Sequence, residues 1–249
     1  MSHIFIWGDF MKKTIVILLI SLLISLTLVI FQKTELTLSS SMSEQNGPVI
    51  IIDPGHGGED GGAVAADGTV EKDINLAISL KLNDILSSFG YKTCLIRDTD
   101  ISICDESAST VRERKVSDIH NRANFMKKYD NCIYVSIHQN KFDSSSIWGA
   151  QTFYSPNNNE SASLAEFIQE SIAAKIQPDN NRVIKKSGTN IYVLYNAVCP
   201  AVMVECGFLS NPQELTSLKS DDYQSQMAYA ISYGIFNYFV SEVNNGTEV

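Results

Sequence analysis

Three absences narrow the chain before any motif is read. Its five cysteines, at 94, 104, 132, 199 and 206, include no C-x-x-C pair. A thiolate-based zinc site is therefore not expected, and an odd count suits free thiols better than a disulfide framework. Cys94, Cys132 and Cys206 lie inside apolar runs and read as small core residues. Positive charge is also scarce: 19 Lys and Arg face 28 Asp and Glu, a formal net charge of −9. No basic patch would draw phosphates, which excludes nucleic acid as the main partner. No internal repeat and no second module are visible. The 249 residues make one sizeable domain once the N-terminus is set aside.

The N-terminus has what the rest lacks. Lys12 and Lys13 precede a run from Thr14 to Phe31 that carries no charge and is rich in Ile and Leu. A positive start followed by an apolar segment reads as an export signal or signal-anchor, and its length sits near the ~18-residue threshold for crossing a bilayer. His3 belongs to this segment. Met11 before the two lysines has the form of a start, so Met1 and Met11 both stand as starts. No A-x-A cleavage site is present, and no Cys follows for lipid attachment. Residues 1–31 are thus expected to export or anchor the chain, placing it in the cell envelope, membrane-bound or secreted. Residues 32–47 are a polar, Ser-rich linker. The folded domain is expected over 48–243, followed by a frayed tail at 244–249.

Within the domain, apolar runs alternate with helical stripes. Val49–Asp53 is a continuous apolar strand. Ile74, Ile78, Leu82, Ile85 and Phe89 form a helical stripe ended by Gly90. Tyr91–Arg97 reads as a strand, Val111–Tyr129 as a charged amphipathic helix, and Asn131–His138 and Gly149–Ser155 as strands. Glu160–Ile176 is a helix, Ile191–Leu194 and Pro200–Glu205 are strands, and Gln224–Val240 closes the chain as a helix. The alternation predicts a single α/β domain, with a mostly parallel twisted sheet of about six strands and helices on both faces. Active groups in such folds gather beyond the carboxyl ends of the strands.

Two histidines and two glutamates sit near such ends. His56 follows the first strand in PVIIIDPGHGGEDGG. That loop lacks the Lys and Ser/Thr of a phosphate loop, and its Asp53, Glu59 and Asp60 favour a cation. Its glycines allow a tight turn that aims His56. His138 ends NCIYVSIH. Glu205 ends PAVMVE, where a carboxylate is expensive to bury unless paired or used. Cys206 beside it points to the opposite face of the strand. Glu71 opens the helix after the loop, where a carboxylate also simply complements the helix dipole. Two imidazoles, one ligating carboxylate and one free carboxylate suit a hydrolytic zinc site. His120, amid charges on its helix, reads as a solvated surface residue.

The combination resembles the zinc-dependent N-acetylmuramoyl-L-alanine amidases of the type 3 class. The likeness spans about Pro48 to Tyr238 through IIIDPGHGGEDGGAV, VEKDINLAISLKLNDIL, LIRDTD, RERKVSDIHNRAN, YVSIHQN, GAQTFY, NIYVLYNAVCPAVMVECGFLSNPQE and AYAISYGIFNYF. The short build and N-terminal segment are most like the spore-cortex amidases. The resemblance implies that His56, Glu71 and His138 hold Zn²⁺ and that Glu205 is catalytic. It implies hydrolysis of the bond between the muramic-acid lactyl group and L-alanine of the peptidoglycan stem. Two positions depart from the pattern: Gln139 stands where Ala is more usual, and Ile96 where Thr is. Asn75, one turn after Glu71, is a candidate support for that ligand. About ten residues separate His138 from the next strand, too few for a plugging helix. Restraint of activity would then come from localisation or from a regulatory or activating envelope protein. The alternatives are a zinc peptidase cutting within the stem, and a non-catalytic wall-binding protein.

Overall fold

A computed structural model describes residues 47–246, together with Ser21, Ser25 and Thr27. The expected apolar segment at 1–31, apart from those three residues, and the linker up to Asn46 lie outside the described residues, as does the end of the tail. Among the described residues no helix is long and apolar enough to cross a membrane.

The strands are β1 (Val49–Pro54), β2 (Thr93–Leu95), β3 (Cys132–Asn140), β4 (Gln151–Tyr154), β5 (Lys185–Lys186) and β6 (Ala201–Phe208). The helices are α1 (Glu71–Ser88), α2 (Val111–Phe125), α3 (Glu160–Lys175), α4 (Tyr192–Tyr195), α5 (Pro212–Leu218) and α6 (Asp221–Gly246). A 3-10 turn, Met126–Lys128, follows α2. The six strands form one sheet in the order β2-β1-β3-β6-β4-β5. The first four run parallel, and β4 reverses direction against β6. The expected α/β architecture and mostly parallel sheet are therefore present.

Strand alternation divides the core. Ile51, Tyr134 and Met203 face one side, where they pack with Ala123 of α2, Met126, and Val193 and Leu194 of α4. The intervening residues Ile50, Ile52, Val135, Ile137, Val202 and Val204 are fully buried on the other side, the side on which α1, α3 and α6 pack. The expected α1 stripe is buried at Ile74, Ile78 and Leu82 but continues through Leu86, with Ile85 half-buried and Phe89 exposed; Met227, Ile231 and Ile235 of α6 are buried. α2 starts at a capping box, in which Thr110 accepts from the Glu113 backbone and the Glu113 side chain returns to the Thr110 N–H.

One expected strand is a helix. Ile191–Leu194 reads as extended, yet Tyr195 N–H bonds to Ile191 O and Asn196 N–H to Tyr192 O. Val193 and Leu194 are both buried in the same cluster, whereas a strand would send neighbours to opposite faces. The positions beside β6, the next strand in the chain, are already taken by β3 and β4. The strand β5 and the helix α5 have no counterpart among the expected elements. α5 is announced by Asn211, whose side chain accepts from Gln213 and Glu214 N–H, and by Pro212 at its first position. The segment between β3 and β4 contains no helix.

Candidate metal centre

The sheet continues past the residues expected to end its strands. β3 extends to Asn140 and β6 to Phe208. His138 and Glu205 are partners in register on adjacent parallel strands. They share the α2/α4 face of the sheet, so their side chains rise side by side. The pairing shifts register between His138 and Asn140, which marks a bulge beside the site.

His56 arrives from the loop after β1. Its φ of 63° lies in the left-handed region, unusual for a residue with a side chain. Two buried arginines hold this loop by its carbonyls. Arg122 donates to Pro54 O at 2.9 Å and to His56 O at 2.6 Å. Arg97 donates to Pro54 O at 2.9 Å and to Gly55 O at 3.0 Å. Arg122 also pairs with Asp53 and, at 2.5 Å, with Asp118. Burial alone would raise the Asp53 carboxyl; the Arg122 charge and hydrogen bonds from Tyr134 and Ser136 outweigh it and hold the group below its ordinary value.

Glu71 is the first residue of α1 and is almost wholly buried. One oxygen, Oε2, accepts from Ala63 N–H at 2.7 Å. The other, Oε1, lies 3.3 Å from His56 Nε2 and 2.9 Å from His138 Nδ1. Asp60 fixes the far side of the His56 ring through Nδ1 at 2.8 Å, and Lys115 holds Asp60 at 2.9 Å. This carboxylate–imidazole pairing leaves Nε2 turned to the centre. Donor atoms of His56, Glu71 and His138 all lie within 4.8 Å of one another. In a tetrahedral site with bonds near ~2.1 Å, neighbouring donors are ~3.4 Å apart, so the three donors need only small shifts to share one ion.

Glycines make the room. A Cβ at Gly55 would fall 2.2 Å from His138 Nε2, and one at Gly62 would fall 2.5 Å from Glu71 Oε2 and 2.6 Å from His56 Cδ2. Both positions are filled by the chemistry of the site, so neither tolerates a side chain.

The electrostatics separate the two glutamates. Burial would raise Glu71, but hydrogen bonds and charge from His138 and His56 keep it well below the carboxylate range. Burial would lower His56; Asp60 and Glu71 reverse this and raise it to about 9. Glu205 has no such partner. Burial raises it to about 7, opposed by His138 and His56 and assisted by Glu71. Its Oε2 is buried with no hydrogen-bond partner, a costly state for a carboxylate oxygen.

All four expected site residues thus converge. His120 lies apart, exposed, with its ring 4.6 Å from that of Tyr192. Arg97, Arg122 and the orienting Asp60 were not singled out as site residues by the sequence; their signal lay in LIRDTD, HNRAN and the acidic loop.

The family pattern for Amidase_3, N-acetylmuramoyl-L-alanine amidase, matches residues 50–237. The chain belongs to this amidase family. Among related proteins, it is 33% identical over 197 residues to the germination-specific N-acetylmuramoyl-L-alanine amidase of Bacillus subtilis, covering 79% of this chain and 82% of that one. Its fold is similar to the CwlD amidase of Clostridioides difficile, solved in complex with the GerS lipoprotein: TM-score 0.75, 40% identity, 78% of this chain and 100% of that chain. An N-acetylmuramoyl-L-alanine amidase of Clostridium difficile 630 follows at TM-score 0.69 and 29% identity, covering 79% and 99%. The amidase acts on the N-acetylmuramoyl–L-alanine link of peptidoglycan, and its His-Glu-His cluster is of the kind that holds a metal ion.

Proposed function

We propose that this amidase is a zinc enzyme in which His56, Glu71 and His138 hold the ion and Glu205 is the general base. The observation that carries the reading is the contrast between the two glutamates. Glu71 is tied to both imidazoles, whereas Glu205, beside His138 in the sheet, has a buried oxygen with no partner. Bound among the three donors, zinc would polarise the scissile carbonyl and acidify water. Glu205, beside His138 and with a buried oxygen that has no partner, takes the proton of the attacking water. The water oxygen bonds to the lactyl carbonyl carbon of muramic acid. The same carboxyl then gives the proton to the departing L-alanine nitrogen as the C–N bond breaks. Asp60 keeps His56 turned to the ion, and Arg122 and Arg97 keep its loop in place.

The likeness to the germination-specific relative supports a role in spore-cortex peptidoglycan. The apolar segment Thr14–Phe31 supports export, with the chain anchored or secreted. The relative solved with a lipoprotein supports a regulatory envelope partner here.

Digestion of purified cell wall, read by mass spectrometry, tests the reading. Intact stem peptides should appear, vanish with a chelator, and return on adding zinc. Fragments cut within the stem would make the protein a peptidase instead, and no release under any condition would leave a wall-binding protein.

A further inference from the structure

Gln139 follows the ligand His138 on β3, so its side chain leaves the opposite face of the sheet, under α1. It is almost fully buried. Its backbone N–H donates to Glu71 Oε1 at 3.1 Å. Its side-chain Nε2 donates to Asn75 Oδ1 at 3.1 Å. Asn75 is one helical turn after Glu71 and wholly buried. Its Nδ2 donates to Glu71 Oε1 at 3.2 Å and to Gly55 O at 3.1 Å. Gln139 and Asn75 thus form a relay that ends on the carboxylate oxygen lying between the two imidazoles.

The relay has a direction. An Asn amide can turn over, exchanging its oxygen and nitrogen. Turned over, Asn75 would set its oxygen against Glu71 Oε1 and the Gly55 carbonyl, three acceptors facing one another. The Gln139 donor occupies Asn75 Oδ1 and so fixes the amide with its N–H groups toward Glu71 and Gly55. Gly55 is the residue whose missing Cβ makes room for the His138 ring. One amide therefore ties two walls of the site together.

The stability balance points the same way. Gln139 Oε1 is buried with no hydrogen-bond partner. An unsatisfied buried acceptor costs about 1–3 kcal/mol, so the side chain brings the fold a cost beside the hydrogen bond it donates to Asn75.

We propose that Gln139 is a positioning residue that sets the Glu71 carboxylate through Asn75 and thereby tightens metal binding. This rests on the reading of His56, Glu71 and His138 as a zinc site. The test is Gln139→Met, which keeps the volume, removes the donor, and exchanges one orphaned oxygen, Gln139 Oε1, for another, Asn75 Oδ1. Zinc affinity is measured on the full chain by competition with a chromophoric chelator, beside the thermal midpoint of the metal-free protein. Affinity should fall about 10–100-fold, the range for supporting groups around a ligand, while the metal-free midpoint holds, because the orphaned acceptor only changes place. A merely structural Gln139 would give the reverse, a lower midpoint with unchanged affinity, and that would overturn the proposal. In an Asn75→Ala background Gln139→Met should change affinity no further; an additive loss would overturn the relay. Gln139→Ala repeats the affinity measurement should the Met variant not fold. The underlying site reading has its own control: His138→Ala that binds zinc as well as wild type removes that reading, whereas its failure to bind, together with an unaffected Gln139→Met, removes the relay alone.

Discussion

His56 and Glu71 reach the centre from a loop and a helix start, whereas His138 and Glu205 reach it from two neighbouring strands. The strand half is placed by sheet register, a row of backbone hydrogen bonds that exists whatever the site contains. The loop half has no such lattice. Its backbone turns through left-handed conformations at His56, Gly58 and Gly62, and its carbonyls are held by the side chains of Arg97 and Arg122. Residues outside the sheet are aimed by buried charge, and residues within it by strand pairing. The two halves should therefore fail differently: a change in the strand half removes chemistry and leaves the fold, while a change beneath the loop half removes both.

The sharpest break lies in the strand half. Glu205→Gln removes the base and keeps the shape, so activity should fall about 10²–10⁴-fold, the usual worth of a positioned acid–base group. Zinc content should stay at the wild-type level. Stability of the metal-free protein should hold or improve at pH 8. The Glu205 carboxyl is raised from 4.5 to about 7 in the fold, so the native state disfavours its ionised form, and that penalty grows from about pH 4.5 and is complete above about 7. Turnover, metal content and thermal midpoint check all three. A variant with substantial turnover would sink the base assignment.

The matching break in the loop half is Arg122→Met. The shape is kept, but Asp53 and Asp118 lose their buried cation. Breaking one partner of such a cluster costs about 3–5 kcal/mol, and the His56 carbonyl loses its donor as well. Denaturant unfolding should show the loss, and zinc affinity should fall in the fraction that remains folded. An unchanged midpoint would mean that the loop holds its own shape, and the contrast between the halves would disappear.

The same division explains what the sequence made legible. His138 and Glu205 stand at the end of Val- and Ile-rich runs, and a strand predicts which face its residues take. Their convergence could be read from position alone, although the strands continue past both because pairing survives the bulge at His138. Glu71 could not be read that way, since a glutamate opening a helix has an ordinary explanation, and only the resemblance set it apart. Arg97 and Arg122 were invisible as supports because they come from β2's far end and from α2, far from His56 in sequence. The misread run at Ile191–Leu194 has the same cause. Its local apolar pattern suits a strand, and only tertiary packing, which buries both Val193 and Leu194 in the cluster that holds Met203, selects the helix instead.

The finest distinction between the halves is protonic. In the metal-free protein, Asp60 and Glu71 raise His56 from 6.5 to about 9, so its ring carries a proton at pH 7.5. That ion pairing stabilises the metal-free fold fully below about 6.5 and is lost as pH rises through about 9. A ligating imidazole must be neutral, so zinc uptake at pH 7.5 should expel close to one proton from His56, and apparent affinity should rise roughly tenfold per pH unit until about 9. Calorimetry in buffers of different ionisation enthalpy reads this directly. Asp60→Asn removes the negative charge beside Nδ1, lowers the ring's pKa and should cut the proton count, flattening the pH dependence. A buffer-independent heat for the wild type would show that His56 carries no proton to expel, and the distinction of the loop half would rest on geometry alone.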